Sequence, residues 1–493
     1  MLLTDVLLLD YKRCERRAFL NVYGDPLERK TERDFLLKLR QEIQSHIAST
    51  LENFYPHYQQ PDNSLTTWED KAKATESLMA KGVSCIYQGT LYQPHLPIEP
   101  HHSQSSLLLK DYPFHCLGKP HLLIKQAGQS KFGDWLYYPV SIHLGRRPKP
   151  EYKIVAAFYA QLLGNLQETP PPTPLLILRQ QNHYSVDLDQ WLPKLQETVE
   201  DCSEMLIQSQ EPEVFISRQR CNLCHWYDHC YAIAQSQQHL SLVPGVTPSR
   251  YQSLVEMGVE TVESLADACP INMGEVIGME IASKLQQQAL AIVDNRAIRQ
   301  SRFQGNIEGL IPTHPIELYF DIEAEPERNL DYLLGVLVVE RSTQTEIFYP
   351  FLAETPEEEG SIWQQFLHLV NRYQNAPIFH FSEYEVETIK RLGKLYKTPE
   401  KQLKALLPRF VDLHYHVINS VILPVESYSL KSLANWIGFH WRDPGVGGDQ
   451  CVWWYDQWLR TGDRNLLTSI LRYNEDDCWA TFHLKNWLLE FLS

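Results

Sequence analysis

The chain has 493 residues, 43% of them hydrophobic and 22% charged, with a formal net charge of −16. That is the composition of a soluble globular protein, long enough for two to four domains at about 150 residues each. The acidic balance excludes a basic coat for nucleic acid over the whole surface, but not a local basic patch beside an acidic metal centre. The longest N-terminal apolar stretch, VLLLD, is too short to span a bilayer and lacks a basic leader, so neither export nor membrane insertion is expected. The ten cysteines have no dense regular spacing and fit the reduced thiols of a cytoplasmic protein better than a disulfide framework.

Along the chain, residues 1–238 mix a helical stretch (TERDFLLKLRQEIQSHIASTLENF) with short strands (SLLLKDYPFHCL, HLLIKQ, WLYYPVSIHL) and close on CNLCHWYDHC. Residues 239–300 read as short helices around LVPGVTPSRYQSLVEMGVETVESLAD, and a polar link follows near 301–312. From 310 to 493 the pattern changes. ELYFDIE, YLLGVLVVE and EIFYPFL read as three successive strands, SIWQQFLHLVNRY as an amphipathic helix, APIFHF as a buried strand and EVETIKRLGKLY as another helix. A three-stranded meander followed by α, β and α is the skeleton of a ribonuclease H-like α/β fold.

Asp321 and Glu323 stand at i and i+2 near a strand end, on one face of the sheet and about 7 Å apart along the chain, where they can share a divalent cation. In LRYNEDDCWATFHLKNWL, Tyr473 and Asp477 stand at i and i+4 of a helix and face the same way. A phenol and a carboxylate so placed can orient a water and hold a metal. DIE followed much later by Y-x-x-x-D resembles the first and third motifs of DEDD-type, DnaQ-like 3′–5′ exonucleases, and residues 310–493 are most similar to the YprB-type branch of that fold. The resemblance implies that Asp321, Glu323, Glu385 and Asp477 bind two Mg²⁺ or Mn²⁺ ions and that Tyr473 positions the water. Glu385 stands where the family carries an aspartate. Asp476 reads as a solvated neighbour, and His380 as a strand-end residue rather than a ligand.

A basic stretch behind the second motif, with Lys390, Arg391, Lys394, Lys397, Lys401, Lys404 and Arg409 against Glu400, is the candidate track for a phosphate backbone. The middle segment resembles a helix-hairpin-helix unit in which the Gly245 turn offers backbone N–H groups to phosphate. A plain helical linker is the other reading of the same residues.

Cys221, Cys224 and Cys230 suggest a metal site short of one ligand. An early C-x-R-R-x-F-L, here around Cys14, paired with a distant C-x2-C-x5-C resembles the iron–sulfur staple of RecB-like nucleases. The whole chain is similar to a family in which such a domain precedes a ribonuclease H-like one. The resemblance makes Cys14 the fourth ligand of a [4Fe–4S] cluster; zinc held by three of the cysteines with His225 or His229, and no metal at all, are the alternatives. Where RecB-like nucleases carry an aspartate and then an acid-x-lysine, this chain has His121, Ser141 and His143. A retained fold with an emptied active site follows, in which Arg146 and Arg147 still contact phosphates. The expected protein is a two-metal nuclease of DNA or RNA that cuts in its C-terminal domain, by resemblance a 3′–5′ exonuclease. The competing class is a non-catalytic nucleic-acid-binding protein with both nuclease folds degenerate.

Overall fold

The computed structural model describes residues 1–62, 64–94, 114–300 and 311–493. Residues 106–113 of the expected strand SLLLKDYPFHCL, and most of the polar link near 301–312, lie outside them. The chain divides into two compact units, Met1–Cys230 and Tyr231–Ser493. The expected division was into three parts.

In the first unit, β1 (Leu2–Thr4), β3 (Leu91–Gln93) and β4 (His115–Gly118) form a sheet of order β1-β4-β3. A larger sheet has the order β2-β5-β6-β7-β8, from Cys85–Tyr87, Leu122–Ser130, Gly133–Ile142, Leu175–Ile177 and His183–Ser185. β6 and β7 pair in parallel, which a tight turn cannot connect, and the helix Pro150–Gln167 makes the crossover. That helix buries Ile154, Ala157, Phe158 and Leu163 in the unit's main core. Apolar residues all round it follow from its position inside the unit, not on its surface.

The second unit begins with short helices. The expected helix before Gly245 is a single 3-10 turn, Leu240–Leu242, because Pro244 and the left-handed Gly245 (φ +93°) stop it at once. A longer helix–glycine–helix pair lies further on, Pro270–Ile277 and Met279–Asp294 joined at Gly278. This segment packs into the same unit as 311–493. The buried Gln288 donates through Nε2 to Leu423 O (2.7 Å) and accepts from Tyr428 Oη (2.8 Å), and β9 (Ile298–Arg299) pairs with β15 (Val421–Ile422).

The central sheet of this unit has the order β12-β11-β10-β13-β14, with β10 Ile316–Glu325, β11 Leu330–Glu340, β12 Thr345–Leu352, β13 Ile378–His380 and β14 Phe410–Asp412. The first two pairings are antiparallel and the last two parallel, as the expected meander and crossover require. β11 is buried on both faces from Leu330 to Val339, since each face carries a core of its own. One packs Phe320 and Val336 against Trp363 and Phe366; the other packs Tyr319 and Leu337 against Leu484 and Leu488 of the helix Arg464–Leu492.

That last helix also carries Lys485, fully buried against Glu317 (Nζ to Oε1 2.7 Å), and Glu317 in turn accepts from Arg341 and Tyr319. Glu317→Leu leaves the Lys485 ammonium without its counter-charge. We expect a loss of about 3–5 kcal/mol in denaturant unfolding, the usual scale for a broken buried pair.

Candidate metal centre

β10 ends its buried run on Asp321 and Glu323, and the C-terminal helix lays Asp477 across that end of the sheet. Among the described residues, these three form the one group of His, Cys, Asp or Glu side chains whose ligand atoms all lie within 4.8 Å of one another. Glu323 and Asp477 are buried and Asp321 half-buried. Burial raises all three carboxyls above their ordinary range. Asp477 and Glu323 push Asp321 further up, Asp477 does the same to Glu323, and Asp477 itself stands at about 7. Three hard oxygen donors so close repel one another when ionised, and the set fits Mg²⁺ or Mn²⁺.

Glu385 stands at the start of the helix Tyr384–Leu395, outside the close group. Its carboxylate is 3.4 Å from His380 Nδ1, yet near enough for its charge to raise Asp321 and Asp477. The turn before it holds Ser382 at φ +99°, an unfavourable backbone for a side-chain-bearing residue, pinned by the bond from Ser382 N to Asp412 Oδ1 (3.0 Å). Tyr473 is largely enclosed, and burial, then Asp477 and Glu323, push its phenol far above the usual value. It therefore stays protonated and can donate.

Three residues not anticipated complete the surroundings. Trp441 Nε1 donates to Asp477 Oδ1 (2.9 Å), and Asn474 Nδ2 donates to Asp321 Oδ2 (2.6 Å). The Lys431 ammonium, bonded to Val446 O, lowers Asp477 by its charge. Asn474 was discoverable, standing three residues before Asp477 on one helix face; nothing in HWRDPG marks Trp441.

Asp476 is not the solvated neighbour expected. It is 4% exposed and accepts from Arg442 N (2.9 Å) and Nε (2.7 Å), fixing the loop that brings Trp441 to Asp477. Asp476→Asn weakens that clip, and we expect a several-fold drop in metal affinity, measured by calorimetry with Mn²⁺, instead of silence.

Cys14 lies between the helices Asp5–Arg13 and Glu15–Tyr23, far in sequence from Cys221, Cys224 and Cys230. The four thiols nevertheless share one neighbourhood. Burial raises the last three, Cys230 to about 11, and the charge of Cys14 adds to each. None of the ten cysteines is in a disulfide. The two histidines of the cluster face other partners: His225 Nε2 is 3.0 Å from Asn21 Oδ1, and His229 Nδ1 is 2.6 Å from Glu28 Oε2.

At the end of the larger sheet of the first unit, just before β5 and just after β6, His121 Nδ1 accepts from Ile142 N (3.1 Å), and His143 stacks on Tyr152 at 3.8 Å. Burial holds them neutral, near 4 and 3. No close acidic trio stands there among the described residues.

The basic stretch divides. Arg391 is bound to Asp331 and Glu359, and Arg409 donates to the carbonyls of Val370, Tyr373 and Ala376. Lys390 pairs with Glu387 and Lys404 with Glu400. Lys394, Lys397 and Lys401 are exposed, as are Arg146, Arg147 and Gly245.

Residues 318–489 match the model of the RNase H superfamily. No curated protein matches the chain. The C-terminal domain is thus RNase H-like, a nuclease-type fold with an acidic trio at the end of its central strand. No described helix is long and apolar enough to cross a membrane.

Proposed function

We propose that the protein is a metal-dependent nuclease whose C-terminal domain hydrolyses phosphodiester bonds of DNA or RNA. The observation that carries this reading is the meeting of Asp321, Glu323 and Asp477 within 4.8 Å in an RNase H-like domain. Asp321, Glu323 and Asp477 would hold the ions, with Glu385 reaching them from the side. A divalent ion bound there supplies positive charge for the phosphate oxygens and acidifies a water. The chain does the rest: Trp441 and Asn474 hold carboxylates in place, the protonated Tyr473 hydroxyl orients the attacking water, and burial around the trio keeps competing water away. Polarity from the 3′ end follows from the likeness of the D-x-E and Y-x-x-x-D motifs to DEDD-type exonucleases.

In the same reading the first unit is a RecB-like fold that binds and does not cut, since His121, Ser141 and His143 stand where two carboxylates and a lysine would hold Mg²⁺. Cys14, Cys221, Cys224 and Cys230 hold a [4Fe–4S] cluster that ties residues near the start of the unit to its end. Zinc is the alternative, because His225 and His229 each engage Asn21 or Glu28 through one ring nitrogen, as metal-bound histidines commonly do. Lys394 and Lys397 supply the phosphate track, helped by Lys390, with Arg146, Arg147 and the Gly245 turn as outlying contacts; Arg391 anchors the track's helix through Asp331 and Glu359.

The test is cleavage of end-labelled single- and double-stranded DNA and RNA with Mg²⁺, Mn²⁺ or chelator. Metal-dependent shortening from the 3′ end supports the reading. Binding without cleavage under every condition would leave the non-catalytic class. Tyr473→Phe should keep Mn²⁺ affinity while slowing turnover by roughly 10²-fold or more, the scale of a positioned proton-handling group.

A further inference from the structure

We propose that Asn474 is a positioning residue that sets the orientation of Asp321, and that Gly335 exists as a notch to seat it. The inference rests on the metal-centre reading above and assigns to that centre two residues outside its carboxylates.

Asn474 is completely buried, one helical turn before Asp477. Its Nδ2 donates to Asp321 Oδ2 at 2.6 Å. Among the described residues its buried Oδ1 has no N–H or O–H partner, an arrangement that costs free energy unless something holds it there. The neighbour on that side is Gly335, the β11 residue directly opposite Asp321 in the antiparallel register. A Cβ on Gly335 would stand 1.7 Å from Asn474 Oδ1 and 2.8 Å from its Cγ. The amide oxygen therefore lies along the glycine's Cα–H direction, where a weak C–H···O contact is open to it. No other residue type leaves this space. One turn further along the helix, Cys478 Sγ lies 3.5 Å from Gly335 O, so the helix rests on the strand at the same place.

The consequence is geometric. The terminal torsions of Asn and Asp side chains are broad, with no strong preference of their own. Wedged between Gly335 and Asp321, the Asn474 amide cannot swing. Its N–H then fixes the carboxylate plane of Asp321 by holding Oδ2, leaving Oδ1 open to an ion. Outer-shell partners of this kind order metal ligands before the ion arrives. A packing role alone would not require a donor aimed at the acid, nor a glycine on the opposite side.

The experiment is a double-mutant cycle on the full chain, with Mn²⁺ affinity read by calorimetry, Mn²⁺-dependent cleavage and thermal unfolding measured alongside. Asn474→Ala should weaken Mn²⁺ binding about 10–100-fold and raise the Mn²⁺ needed for half-maximal rate, with substrate KM at saturating Mn²⁺ unchanged. Gly335→Ala should reproduce this by driving the amide away, although Phe348 Cε2, 3.0 Å from the new methyl, must also give slightly. The double variant should be no worse than Asn474→Ala, because removing the amide makes room for the methyl. If Gly335→Ala alone fails to fold, the double variant should fold, which supports the same notch. Wild-type Mn²⁺ affinity in Asn474→Ala, with Asp321→Asn unable to bind, would overturn the positioning role and leave the metal centre standing. Effects that multiply in the double variant would also overturn it. Undiminished Mn²⁺ binding in Asp321→Asn would overturn the metal centre itself, and this inference with it.

Discussion

Asp321→Asn is expected to abolish cleavage, with a loss beyond the roughly 100-fold that changing an outer-shell partner costs, while fold and nucleic-acid binding persist. The substitution keeps the shape and removes one of three closely packed carboxylate charges. Asp477→Asn should be about as damaging, and the pair together little worse, because the carboxylates act as one unit. Stability should move the other way. In the unfolded chain these carboxyls ionise near 4, whereas the folded protein holds them protonated to higher pH, Asp477 to about 7. Metal-free stability from this cluster is therefore full below about pH 4, falls as pH rises through about 7, and is lowest above it. Asp321→Asn should accordingly raise the metal-free Tm at pH 8 and leave it nearly unchanged at pH 4. Mn²⁺ should raise the wild-type Tm more at pH 8 than at pH 6, since at lower pH it must displace protons. A Tm that ignores Mn²⁺ at both pH values would contradict the assignment.

Cys14→Ser should have the second large effect, and at a distance. Purified without oxygen, the wild-type protein should be brown and carry iron; the variant should be colourless, with the first unit unfolding several degrees lower while the RNase H-like domain is unaffected. The reason is loop closure: a ligand set joining residue 14 to residues 221–230 restricts most of the unit's unfolded chain, and the restriction vanishes with one ligand. Stoichiometric zinc in a colourless wild-type protein would replace the iron–sulfur assignment, and unchanged stability in Cys14→Ser would remove the metal altogether.

The legible parts of this protein were those with a strong local signal. The β-branched and aromatic runs ELYFDIE and YLLGVLVVE, and the helical spacing in SIWQQFLHLVNRY, emerged as β10, β11 and the helix Glu359–Arg372. Asp321 and Glu323 were equally legible as a pair, because a period of two on a strand places side chains on one face whatever surrounds them, whereas Asp477 was named with them through the likeness of Y-x-x-x-D to the third DEDD motif. The middle segment was less so: its short helices show similar spacing whether they form a separate domain or pack against 311–493, and contacts such as Gln288 with Leu423 leave no periodic trace.

By itself the sequence determined the alternation of elements, the pairing of Asp321 with Glu323 and the cysteine spacing, since each depends on local geometry and residue chemistry. Only the tertiary structure decided which charges are available. Seven cations stand together in KRLGKLYKTPEKQLKALLPR, but Arg391 turns inward to Asp331 and Glu359, Arg409 to three carbonyls, and Lys394 and Lys397 stay in solvent. Asp476 and Asp477 are adjacent acids, yet one clips a loop through Arg442 and the other joins the trio. The physical reason is common to both: a side chain's charge is chemical identity, whereas its partner is set by which strand, helix or loop folding brings within about 3 Å.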